Sequence, residues 1–243
     1  MKIEILNKAL RKSAGFMLRD FNEIAHLKHN ITKARGFINS SQKRMHEILL
    51  QECEKYFPEH EIISCSSMPN KTRSYLMLEP LDSISNIENA LPFFGSMIFI
   101  STTKGNITSE NALIYLPCTD QFCYASSNDG VFIETGNNSA RKKAIANFNA
   151  PLCAIEQLSP SLIENFTNLS ISSQNIRVLG SSAYSLMLLA NGSASSCILN
   201  NNTITNLVAN LISSKLNFTS QQIENCTIYW TKKTTRAKLT LFK

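Results

Sequence analysis

Two carboxylates, Glu79 and Asp82, stand three residues apart around Pro80 and Leu81. Carboxylate oxygens, together with a carbonyl of the turn, are the donors that a hard cation takes. Tyr75 to Leu78 is a short apolar run that reads as a strand, and Pro80 biases Glu79 toward extended backbone. Ser85 and Glu88 have the spacing of a Ser-x-x-Glu capping box, which predicts a short helix starting there. The order is therefore strand, acidic turn, helix N-terminus: carboxylates for a cation, and helix amides for a phosphate. Each acid also has a plainer reading. Two acids in a turn are more often a solvated loop than a metal site, Asp82 can cap the short helix, and Glu79 can pair with a lysine.

The elements that must position this turn follow from periodicity. Residues 3 to 28 predict a long amphipathic helix, with Leu6, Leu10, Ala14, Met17, Phe21 and Ile24 on one face. A second helix is predicted from Ser40 to Tyr56, capped by Asn39, with Met45, Ile48, Leu49 and Cys53 inward and Phe57-Pro58 ending it. Strands are predicted at Ile62 to Cys65, Tyr75 to Leu78, Gly95 to Ser101, Asn111 to Leu116, Gln121 to Tyr124 and Val131 to Ile133, the last after the tight turn Asn128-Asp129-Gly130. Beyond Lys142 the pattern becomes mixed. It gives a strand within Ala150 to Ile155, a helix at Ser161 to Asn168 and a helix after Ala183 that is stopped by Asn191-Gly192. A strand at Ser196 to Leu199, a helix at Thr203 to Ser213 and one or two strands between Cys226 and Phe242 follow.

Composition bounds the function classes. A chain of 243 residues forms one large domain or two small ones and buries a substantial core. No apolar run reaches the roughly 18 residues of a membrane span. The N-terminus enters helical periodicity without a signal-peptide pattern, so a cytoplasmic protein is expected. Seven scattered cysteines include no Cys-x-x-Cys pair, which argues for reduced, mostly buried thiols. The net charge of +6 permits an acidic partner such as RNA or a phosphorylated ligand. The basic end, Lys232, Lys233, Arg236 and Lys238, reads as a solvated strand face or as a nucleic-acid patch.

The segment Glu79-Pro80-Leu81-Asp82-Ser83-Ile84-Ser85-Asn86 resembles the Asp-Pro-Leu-Asp-Gly-Thr-x-Asn signature of the inositol monophosphatase family, Mg-dependent sugar-phosphate phosphatases. The resemblance is collinear over most of the chain. Phe57-Pro58-Glu59-His60 is similar to Phe-Pro-Asp-His, and Tyr115-Leu116-Pro117 with Gly130-Val131-Phe132 is similar to a hairpin segment of the family. Arg177 with Gly180-Ser181-Ser182-Ala183 and Ala190-x-Gly192 is similar to Arg-x-x-Gly-Ser-Ala-Ala with Ala-Ala-Gly. The resemblance implies an α/β (α+β) fold, a layered αβαβα sandwich. Residues 1–142 would supply the helix pair and antiparallel sheet, and 143–243 a mixed α/β half.

It also implies a chemistry, hydrolysis of a phosphate monoester by Mg²⁺ ions on a carboxylate cluster. Most of that cluster is replaced here. The family's Gly-Glu-Glu falls on Ser64-Cys65-Ser66, the acid at the start of the second helix on Gln42, and the late Trp-Asp near Ile204-Thr205. The first signature Asp is Glu79, longer by one bond of about 1.5 Å. The water-orienting Thr is Ile84, and the Gly that lets phosphate approach is Ser83. The family residues that remain are a metal set of Glu79, the Leu81 carbonyl and Asp82, and a substrate-binding set of Ser83, Gly180, Ser181 and Ser182. Arg177 is implied to be a structural or dimer-interface residue. The expectation is a degenerate Mg²⁺ site that binds its ion weakly or not at all, and a homodimer acting as a binding or scaffold protein. The bacterial extragenic-suppressor branch of the family points to a transcription-machinery protein or RNA as the partner. The rival expectation is a weakly active Mg-dependent phosphatase of a sugar phosphate.

Overall fold

The computed structural model describes residues 2–26, 31–65, 67–70, 72–136, 141–147, 149–150, 152–158 and 175–231. Helix α1 (Lys2–His26) and helix α2 (Ile31–Tyr56) run antiparallel, as the contacts of Lys12 with Glu52 and of Asp20 with Ser41 require. Strands β1 (Glu61–Ser64), β2 (Tyr75–Glu79), β3 (Ser96–Lys104), β4 (Ile107–Leu116), β5 (Gln121–Ser126), β6 (Gly130–Thr135) and β7 (Lys142–Lys143) form one sheet in chain order. Its pairs are antiparallel except for β1 and β2, which run parallel. A one-turn helix, α3 (Ile84–Glu88), follows β2. The second sheet holds β8 (Leu152–Ile155), β9 (Asn175–Val178), β10 (Ser196–Asn200), β11 (Phe218–Ile223) and β12 (Cys226–Thr231), in the order β11-β12-β10-β8-β9. Helices α4 (Ser182–Ala190) and α5 (Thr203–Leu216) lie between the sheets.

The layers follow from which strand faces are apolar. β2 is buried on both sides, so its residues alternate between two cores. Leu76 and Leu78 join Leu6, Leu10, Met17, Ile38, Met45 and Leu49 of the helix pair. Tyr75 and Met77 join α4 and α5, whose far side meets Ala154, Cys197 and Tyr229 of the second sheet. A third cluster, including Cys153, Ile198, Cys226 and Trp230, lies on the outer face of that sheet. Helices, sheet, helices and sheet thus supply four of the five expected layers. The helix predicted at 161–168 and the basic end at 232–243 lie outside the described residues.

Two local expectations are corrected. Helix α2 begins at Ile31, nine residues before Ser40, and Asn39 is interior to it. Ala34, Ile38, Ser41 and Met45 continue one buried stripe, and tertiary burial outweighs the polar run Asn39-Ser40-Ser41. The hydroxyls fit a helix because they bond back to the preceding turn, Ser40 to Gly36 O at 2.9 Å and Ser41 to Phe37 O at 3.1 Å. The capping box does not form. α3 starts at Ile84, and the Glu88 carboxylate instead accepts from Arg35 Nε of α2 at 2.8 Å. Strand β11 was not anticipated, because its Thr-Ser-Gln-Gln stretch carries little apolar signal. All seven cysteines are free thiols, five of them buried.

Candidate functional site

The acidic turn sits where the first sheet meets the N-terminus of α4. Two bonds at the start of the next strand fold it: Asp82 N donates to Gly95 O at 2.9 Å, and the Ser96 hydroxyl donates to Pro80 O at 2.6 Å. These bonds direct the Asp82 side chain inward, where it is 9% exposed. Its Oδ1 accepts from Gly95 N at 2.6 Å. Its Oδ2 accepts from Ser181 Oγ at 2.6 Å and from Ala183 N at 2.9 Å. The last donor is a first-turn amide of α4. Asp82 therefore caps a helix about a hundred residues away in sequence, not the short helix beside it. Ser181 completes the cap by accepting from Tyr184 N at 3.0 Å.

The approach of these elements is close enough to select glycine. A Cβ on Gly95 would lie 2.8 Å from Ala183 Cβ and 2.9 Å from Tyr115 O. Gly180 has φ +69°, and a Cβ there would fall 2.8 Å from Asn86 Oδ1. Asn86 is itself buried, and its Nδ2 donates to Phe93 O at 2.5 Å and to Leu179 O at 2.7 Å. It is a second tie between the acidic turn and the Gly180 loop. Neither Asn86 nor Gly95 was selected as a site residue by sequence. Only the Asn within the signature segment marked the first, and no signal marked the second.

Burial pushes the Asp82 carboxyl up to about 7, although bonds from Ser181, Ala183 and Gly95 all oppose that shift. Glu79 is half-buried and raised for the same first reason, with a bond to Cys65 acting against it. A third carboxylate, Glu156 after β8, accepts from Asn200 N at 2.9 Å and is bonded by the Ser182 side chain. It too is raised by burial. Sequence reading missed Glu156, which matches no motif position. Of the substrate-binding residues expected from sequence, three lie against these carboxylate residues, with Ser181 bonded to Asp82, Ser182 to Glu156, and Gly180 N to Glu156 O at 2.9 Å. Ser83 stands apart in the left-handed region at φ 59°, with its buried Oγ unpartnered among the described residues. Replacing Ser83 by glycine removes both penalties and is expected to raise the unfolding free energy by about 1 kcal/mol, read from urea midpoints. Arg177 is exposed on β9 and bonds Ile176 O at 2.9 Å.

Glu79 points elsewhere than Asp82. It lines an open groove of about 1050 Å³ between α2 and the ends of β1 and β2, with Gln42, His46, His60, Ile62 and Cys65. His60 Nε2 is 2.9 Å from Thr102 Oγ1. The donors do not fit a magnesium cluster. Both Asp82 oxygens accept from protein donors, and beside Glu79 the groove is lined by an amide, Gln42, and a thiol, Cys65. Among the described residues no group of three or more His, Cys, Asp or Glu side chains is placed to hold a metal. No helix among them is long and apolar enough to cross a membrane.

Comparison with known proteins gives a consistent picture. No family model matches the chain. The chain is 24% identical over 200 residues to the Nus factor SuhB of Buchnera aphidicola subsp. Acyrthosiphon pisum, covering 78% of this chain and 73% of that protein. In structure it resembles the extragenic suppressor protein suhB of Bartonella henselae, with a TM-score of 0.74 at 18% identity over 98% of this chain and 96% of the other. It also resembles the staphylococcal IMPase-II, with a TM-score of 0.69 at 14% identity over 95% and 90% of the two chains.

Proposed function

We propose that this chain, which shares its fold with inositol monophosphatase-type proteins, is a member of that family that keeps the scaffold as a binding protein and has lost metal-dependent hydrolysis. The observation that carries this reading is the state of Asp82. Gly95, Ser181 and Ala183 take three of the roughly four lone-pair sites of this buried carboxylate, which leaves it one on Oδ1 to offer a cation. Mg²⁺ loses its waters reluctantly and needs several carboxylates to hold it. Glu79 with the Leu81 carbonyl makes a weak site at most. No residue at a motif position activates a water: Ile84 has no hydroxyl, and the His60 imidazole bonds Thr102.

The partner class follows the relatives, which are Nus factors. A transcription-machinery protein is the reading we favour, with RNA as its rival, and the chain acting as a cytoplasmic homodimer. The second reading is a weak phosphatase, with Glu79, Leu81 and Asp82 on one Mg²⁺ and Ser83, Gly180, Ser181 and Ser182 against a sugar. It draws support from Glu79 lining the groove. Phosphate release from inositol monophosphate, sugar phosphates and adenosine bisphosphate separates the two. The expected result is no Mg-dependent release above the blank. Release that requires Mg²⁺ and disappears in Glu79→Gln would establish the second reading.

A further inference from the structure

We propose that the groove beside β1 receives an extended peptide of a protein partner, added as an eighth strand to the edge of the first sheet. This rests on the non-catalytic binding reading above and names where and how the partner would bind. Among the described residues β1 is an edge strand, paired through one side only, to β2. Glu61 N donates to Ser74 O at 3.0 Å, and the parallel register pairs Glu61 with Tyr75 and Ile63 with Met77. In such a ladder alternate residues spend both main-chain groups on the neighbour. Glu61 and Ile63 therefore face β2, and the N–H and C=O of Ile62 and Ser64 face outward. Among the described residues no hydrogen bond reaches the Ile62 main chain from beyond the sheet. An open strand edge is a template for another strand, and proteins that do not use such edges cover or charge them.

Here the edge opens into space of the right shape. The groove runs along α2 from Asn39 to Glu54, about 22 Å at 1.5 Å per residue. An extended chain spans that length with about seven residues. Its volume of about 1050 Å³ is at the upper end for a small-molecule pocket, and it is open along its length. Leu50 and Ile62, both partly exposed, offer apolar contact to side chains on one face of an added strand. The charges are separated along the groove: Lys43, which is 3.9 Å from Glu47, lies toward one end of the α2 wall and Glu54 toward the other, with His46 between them. A peptide of alternating apolar residues with an acidic residue at the Lys43 end and a basic residue at the Glu54 end complements them. A phosphate-rich ligand does not, because Glu54 and Glu79 both line the groove.

The test is selection of a phage-displayed library of random heptapeptides on the full chain, followed by synthesis of the enriched peptides. Two changes then probe the main chain. N-methylation of alternate peptide amides removes the donors of one parity. Ile62→Pro removes the outward donor of β1 and leaves the β1–β2 ladder intact. We expect enrichment of extended, alternating peptides whose affinity drops about tenfold or more with one methylation parity and with Ile62→Pro, but not with the other parity. The Ile62 amide is expected to exchange more slowly in the complex. Should Ile62→Pro fail to fold, the methylation pair decides alone. No enrichment over the blank, binding indifferent to methylation parity, or a groove already filled by a second copy of the chain overturns the proposal. Failed selection with no phosphate release sinks this inference and leaves the non-catalytic reading. Mg-dependent release sinks that reading whatever the peptides do.

Discussion

Asp82→Ala is expected to lower the unfolding free energy by about 3–5 kcal/mol in buffer without divalent cations. The substitution strands Gly95 N–H, the Ser181 hydroxyl and Ala183 N–H at a place where water does not replace the lost acceptor. Each buried donor left unmade costs roughly 1–3 kcal/mol, and partial relaxation keeps the total below the simple sum. For a chain of this size the melting temperature falls by about 10 °C. Ser181→Ala removes one of the donors and the cap on Tyr184, and is expected to cost about 1–2 kcal/mol. A carboxylate whose task was to hold a solvent-facing cation would behave differently. Removing it without the cation would change stability by less than about 0.5 kcal/mol.

The second large effect concerns Gly180 and Asn86. Gly180→Ala places a Cβ in the left-handed region and 2.8 Å from Asn86 Oδ1. The backbone strain is about 1 kcal/mol, and displacing Asn86 loosens its bonds to the Phe93 and Leu179 carbonyls. The expected cost is about 3 kcal/mol. Asn86→Ala strands the same two carbonyls and costs about 2–3 kcal/mol. The double variant has no side chain left to collide with, so its cost falls short of the sum by about 1–2 kcal/mol. Additive costs in a urea-denaturation cycle would contradict the geometry.

The long-period signals were the legible part of the fold. The apolar stripe of α1 and the two-sided apolar run of β2 each have one arrangement that buries them, and both appear as read. The start of α2 was not legible. A local polar cluster resembled a helix start, and only the distant partner Asp20 shows why Ser41 belongs inside the helix. The failed capping box has the same origin, since Glu88 is drawn to Arg35 from another element. At the site, the residues Glu79, Asp82 and Ser181 were legible by type and by resemblance. Their division of labour was not. Asp82 was read as a ligand or as a cap for its own helix, and it bonds Ser181 and Ala183 across the chain. Hydrogen bonds over about a hundred residues leave no local trace, and neither does the closeness of Gly95 to Ala183 that selects glycine.

The central claim is that the Asp82 carboxylate ties two layers together and does not collect a cation. Thermal denaturation across a magnesium titration, from a chelated sample to about 10 mM, tests it directly, since an ion bound to the folded state alone raises the melting temperature in proportion to the logarithm of its concentration. The account predicts a flat curve for the wild type and for Glu79→Gln. A saturable rise of several degrees in the wild type that Glu79→Gln abolishes would contradict it.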